Sequence, residues 1–187
     1  MMMIERLKEE TKLLHGEIEK ENLANRIMDH SIDPETYKLL LLQNYFAYRS
    51  VENAIFEHLS KMQPSKYLQL EKDIRALEIP LFDTSFSAEF SCENKAEAFG
   101  AAYVVEGSAL GGMLIAKNLE KCEKLKEVEN FYFFSGNKES LDSWKAFKTA
   151  LAEQDFSEPE AQQAISKAQD TFRFFKKVFS TEFSVVQ

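Results

Sequence analysis

Tyr103-Val104-Val105-Glu106-Gly107-Ser108-Ala109-Leu110-Gly111-Gly112 is the stretch on which the fold turns. Around it, from Glu93 to about Glu123, apolar residues recur at helical spacing, which predicts one long helix interrupted by glycine. Glycine inside a helix costs about 0.8–1.0 kcal/mol relative to alanine, so three of them need something to compensate. Gly107 and Gly111 are four residues apart and share a face that Gly112 widens. The backbone there can approach a partner closely or kink away from one. Spacing alone leaves two partners open: another helix packed through small residues, or a flat ligand.

Outward from this run the chain reads as all-α. Its six glycines and four prolines punctuate long stretches of helical period rather than short alternating runs. A first helix is predicted from about Ile4 to Asn22, with Leu7, Thr11, Leu14, His15 and Ile18 on its apolar face. Asp33 as N-cap and Pro34 at the first helical position open a second helix, to about Met62. Its Leu39-to-Leu42 run with Tyr45, Phe46 and Tyr48 marks it as central. Gln63-Pro64-Ser65 breaks the chain before a third helix, to about Leu77, and Ile79 to Cys92 reads as a surface connection. Further helices are expected from about Lys138 to Glu153 and, after Ser157-Glu158-Pro159, from about Glu160 to Phe183. With no internal repeat or linker, residues 1–187 are expected to form a single domain.

Composition narrows the function. Hydrophobic residues make up 44% and charged residues 29%, the balance of a globular protein. A net charge of −8 repels nucleic acid, and no block of Lys and Arg reverses that locally. No run approaches the roughly 20 uninterrupted apolar residues of a membrane span, and Glu5 and Arg6 follow Met1-Met2-Met3-Ile4 too soon for a signal-peptide core. A cytoplasmic location with no membrane partner is therefore expected. There Cys92 and Cys122 remain thiols. Sixteen phenylalanines either fill the core or line a pocket for a flat apolar ligand.

The first helix sharpens the choice. Leu7 to Glu19 presents an inward-facing histidine, His15, with a carboxylate, Glu19, one turn later. A lone histidine on an apolar face is commonly a satisfied core residue. A histidine metal ligand, however, needs its second ring nitrogen held, and Glu19 is placed to do that. A proximal imidazole facing a glycine-rich helix would sandwich heme and leave the sixth iron position open beneath backbone atoms. His30, before a cap region, and His58, near the end of the second helix, are expected to do no chemistry.

At these residues the chain resembles the biliverdin-forming heme oxygenases. The matching signs are LKE-x-T-K-x-x-H-x-x-x-E at Leu7 to Glu19, Y-V-x-E-G-S-x-L-G-G at Tyr103 to Gly112, and T-F-x-x-F-x-x-V-F at Thr171 to Phe179. The second run is especially similar to the bacterial branch that includes partners of bacterial phytochromes. The resemblance implies a compact helical bundle with heme between the first helix and a kinked distal helix. It implies His15 as axial iron ligand and Glu19 as its support, with Gly107, Gly111 and Gly112 lining the distal face and steering oxygen toward one meso carbon. Lys8 matches a basic residue near the heme propionates, and a second such position falls near Lys148; each is otherwise an ordinary helix charge. Tyr103 either contacts a propionate or belongs to the core.

One departure stands out. Animal members carry an aspartate after the first distal glycine that orders water for proton delivery; here that position is Ser108, as in many bacterial members. The reaction implied is oxidative opening of heme b, at once cofactor and substrate, to biliverdin, carbon monoxide and ferrous iron, with O2 as co-substrate. The chain carries no dinucleotide-binding glycine fingerprint, so electrons are expected from another protein such as a ferredoxin. Arg173, Lys176 and Lys177 form either a docking patch for it or a solvated face. Ser108 motivates the alternative of a heme carrier or sensor that leaves the ring intact. A di-iron oxidase would need Glu-x-x-His pairs, but Lys12, Ile27 and Ile55 precede the histidines by three. A thiamin-degrading relative would need a base-paired nucleophilic cysteine, and neither cysteine has that setting.

Overall fold

The glycine-bearing stretch lies in α6, Lys95–Leu119, one unbroken α-helix in a computed structural model that describes residues 1–136 and 138–183. Asn94 starts it, its side chain accepting the Glu97 amide at 3.0 Å. Ala96, Ala98, Ala101 and Ala102 are buried and small, so the last long helix, α8 (Glu158–Phe179), presses close. The tightest point is Gly100, where a Cβ would stand 2.0 Å from the Ala164 carbonyl oxygen. Backbone contact of that kind is what glycine permits and any side chain prevents.

Around this pair the remaining elements follow their local signals. α1 (Met3–Glu21) buries Leu7 and Thr11 and lies along α8, fastened at its edge by Arg6–Glu158 at 2.6 Å and Lys176–Glu17 at 3.0 Å. α3 (Pro34–His58) is central, as its aromatic and leucine content predicts, and Asp33 accepts the Thr36 amide at 2.8 Å to start it. α4 (Lys66–Ala76) packs on α3, and α7 (Lys138–Ala152) on α6. Among the described residues there is no β-strand, so the all-α expectation holds.

Several boundaries differ from the sequence reading. α3 stops at His58 rather than Met62, because the buried Leu59 leaves helical geometry and Met62 bonds back only to the Leu59 carbonyl. α6 stops at Leu119, and a 3₁₀ turn, Glu123–Leu125, follows. Two four-residue helices, α2 (Asn25–Met28) and, inside the stretch read as a surface connection, α5 (Phe86–Glu89), each bury one large side chain, Ile27 and Phe86. α8 begins at Glu158, where Ser157 and Glu160 form a capping box. By length and mean hydropathy, 1.4 over its most apolar stretch, α6 could cross a membrane, although Glu106 interrupts that stretch and half of it is buried inside the protein.

Candidate active site

Between α1 and the glycine-bearing half of α6 lies a cavity of about 760 Å³. Small-molecule and cofactor sites span roughly 300–1,000 Å³, so it is large enough for a macrocycle. α1 contributes Lys8, Lys12, His15 and Glu19, α6 contributes Tyr103 and the run from Gly107 to Ile115, and α3, α7 and α8 close it with Tyr48, Trp144 and Phe172.

His15 stands in this wall with its side chain 57% exposed, its ring edge-on to Phe172 at 5.7 Å between centroids. Its Nε2 lies 3.7 Å from Glu19 Oε1. The helical pattern therefore puts His15 on the intended face, but that face is a cavity wall rather than packed core. A metal-ligating imidazole must be neutral and accessible, and this one is accessible, with an acceptor one turn away.

The glycines resolve the alternatives their spacing left open. A Cβ at Gly111 or Gly112 would meet no protein atom within 4 Å, and one at Gly107 would touch only the Trp144 ring, at 3.9 Å. Helix packing therefore does not require them; that role falls to Gly100. All three line the cavity on the side facing α1. Tyr103 lies in the same wall, half-buried beside Thr11, with its ring 6.1 Å from Trp144. Burial raises its hydroxyl pKa, and a hydrogen bond with Thr11 opposes that. Lys8 lines the cavity too, joined by Lys12 one turn on. Lys148 does not line it: its ammonium lies over the Trp144 ring, 5.6 Å from the ring centre.

Ser108 is in the wall, but its hydroxyl donates to the Val105 carbonyl at 2.7 Å. Beside it is Tyr48, whose pKa burial pushes well up and the Ser108 contact lowers. Lys66, which also lines the cavity, forms an ion pair with Glu106 at 3.1 Å, with side chains only 9% and 8% exposed, and Ser143, another lining residue, donates to Glu106 at 2.7 Å. Sequence reading singles out neither Tyr48 nor Trp144 as site residues, nor this buried pair; the lone tryptophan and a glutamate directly before the first glycine are the signals that could have raised them. Of the other candidates, His30 bonds Asn118 at 2.9 Å and His58 bonds the Cys92 carbonyl at 2.6 Å. Arg173 pairs with Asp170, Lys176 with Glu17 and Glu21, and Lys177 with Glu89, so their charge is largely spent within the chain.

The segment after α6 is tied to the cavity by a buried carboxyl. Asp73 accepts the amides of Tyr132 at 2.8 Å and Phe133 at 2.9 Å, and burial, partly offset by those bonds, lifts its pKa to about 6. The folded state thus holds a proton that the unfolded state releases near pH 4. This contribution is full below pH 4 and is lost as pH rises through 6, on the order of 3 kcal/mol. Urea unfolding at pH 4 and pH 7 is expected to show a smaller fall in stability for Asp73→Asn than for the wild type. Equal falls would contradict the assignment.

The heme oxygenase family model matches residues 1–181. A heme oxygenase of Xanthomonas campestris pv. campestris (strain 8004) is 27% identical over 157 residues, covering 81% of this chain and 93% of that protein. The NO- and CO-bound heme oxygenase of Neisseria meningitidis shares the fold with a TM-score of 0.74 at 20% identity, over 96% of this chain and 90% of that one. The heme oxygenase of Leptospira interrogans does so with a TM-score of 0.70 at 17% identity, over 96% and 99%. With the family matched along nearly its whole length and a cavity between its first helix and its glycine run, the chain belongs to the heme oxygenases, enzymes that degrade heme to biliverdin.

Proposed function

We propose that heme b sits in the cavity between α1 and α6, with His15 as its axial iron ligand, Glu19 holding the other ring nitrogen, and Lys8 and Tyr103 near the propionates. Lys148 reaches that edge only by leaving the Trp144 face. Gly107, Ser108, Gly111 and Gly112 form the distal wall, with a bend of α6 there on loading. Bound heme supplies the iron that activates O2 and is itself the ring that is opened, to biliverdin, carbon monoxide and ferrous iron. The glycine backbone leaves room for O2 and restricts which meso edge it meets. Electrons come from an external protein such as a ferredoxin in the cytoplasm, and a bacterial phytochrome is a fitting acceptor for the product.

The observation that carries this reading is the open face of Gly111 and Gly112, with no protein partner, in the same cavity as His15. Protein given heme, a ferredoxin system and O2 is expected to turn green; a Soret band unchanged under turnover would contradict catalysis. A heme carrier is the second reading, favoured by the Ser108 hydroxyl being committed to a backbone carbonyl. A carrier would bind heme and yield no biliverdin.

Glycine at 111 exists for a ligand if the heme-free protein improves without it. Gly111→Ala is expected to stabilise the heme-free protein by about 1 kcal/mol, raising Tm by about 2–4 °C. Gly111→Leu is expected to weaken heme binding or change the isomer formed. A lower Tm for the alanine variant would show that position 111 serves packing instead.

A further inference from the structure

The glycine half of α6 is held weakly along its own length. Nothing packs on Gly111 or Gly112 from the cavity side, and Leu110 and Leu114, which line the same cavity, are 58% and 55% exposed. Its position must therefore be set at its ends. At the far end Gly136 comes so close to Ala116 that a Cβ on it would lie 2.9 Å from the Ala116 Cβ, and Asn118 bonds His30 at 2.9 Å. At the near end, directly before Gly107, is Glu106, whose buried carboxylate is held by Lys66 of α4 at 3.1 Å and Ser143 of α7 at 2.7 Å. The Lys66 end is itself fixed, because buried Glu52 of α3 accepts the amides of Ser65 and Lys66 at 3.0 Å and Tyr67 at 2.8 Å.

We propose that Glu106 is a positioning residue: pinned by Lys66 and Ser143, it fixes the height and rotation of the glycine segment over the cavity, and through it the meso carbon that is opened. The regiochemical half rests on the glycine segment being the distal wall. A charge-assisted clamp suits the task because its geometry is narrow, whereas apolar contacts would let the helix slide. Glu106 touches no substrate and carries no proton to it. Its neighbour Gly107 has no side chain to hold the helix, so the last anchored side chain before the span is its own.

Hydrogen exchange on the heme-free protein tests the clamp without heme. Amides over 107–114 are expected to exchange about tenfold faster in Glu106→Ala, and less so in Ser143→Ala, which keeps the Lys66 contact and the fold. Glu106→Gln, which can keep both acceptor contacts but leaves the buried Lys66 ammonium without its counter-charge, is expected to fall between wild type and Glu106→Ala. Leu151→Ala, a buried residue of α7 away from the cavity, destabilises globally and serves as control. In turnover, the isomer mixture is expected to broaden in Glu106→Ala and Ser143→Ala, and to stay unchanged in Leu151→Ala. Unchanged exchange in both clamp variants would overturn the proposal. Faster exchange with an unchanged isomer mixture would overturn the positioning role. Failure of the site reading shows separately, as a wild-type heme titration that does not depend on His15.

Discussion

Replacing His15 with alanine is expected to abolish turnover and weaken heme binding while leaving the fold intact. Its side chain is 57% exposed, so its removal should change stability by no more than about 0.5 kcal/mol. Partners behind a metal ligand typically contribute about 10–100-fold in affinity or activity, which is the loss expected for Glu19→Ala, and losing the ligand itself should exceed that range. Heme titration and the rate of biliverdin formation measure both. Added imidazole, which fits the space left by the side chain, is expected to restore part of the binding. Full activity in His15→Ala without imidazole would remove it from the iron.

The second large effect is on stability and lies away from the cavity. A methyl group at Gly100 would stand 2.0 Å from the Ala164 carbonyl oxygen, a backbone atom that can move only if α8 moves. Overpacking of a core commonly costs about 1–3 kcal/mol and sometimes more, and a clash with backbone belongs at the upper end. Gly100→Ala is therefore expected to lower Tm by about 6–12 °C, the opposite sign to Gly111→Ala. Thermal unfolding of the heme-free proteins compares the two directly. An unchanged Tm in Gly100→Ala would mean that α6 and α8 do not meet there.

The contrast between these glycines marks where sequence stops being readable. The helices around the site were legible because their signals are local: Asp33-Pro34 starts α3, Ser157 to Glu160 caps α8, and the spacing of Leu7, Thr11 and Ile18 orients α1. The clustered glycines advertised themselves as a weak helix, and the resemblance gave them a ligand. Gly100, a single small residue among alanines, carries no such sign, since its partner Ala164 lies far along the chain. The same holds for the Lys66–Glu106 pair: in sequence these are two ordinary charges, and only the fold buries them together. Tertiary pairing likewise spends Arg173, Lys176 and Lys177 on nearby carboxylates, leaving little net charge to attract an acidic partner. The open side of His15 was not legible either, because periodicity marks a face as apolar without saying whether it meets core or cavity.

The chain has three histidines, His15, His30 and His58, so the nitrogen on the iron can be identified by elimination. Pulsed magnetic resonance on ferric heme-loaded protein carrying ¹⁵N-histidine reads that nitrogen directly. One imidazole coupling is expected in the wild type, in His30→Ala and in His58→Ala, and none in His15→Ala; a coupling that survives in His15→Ala, or vanishes with either other histidine, would contradict heme held between α1 and the glycine run.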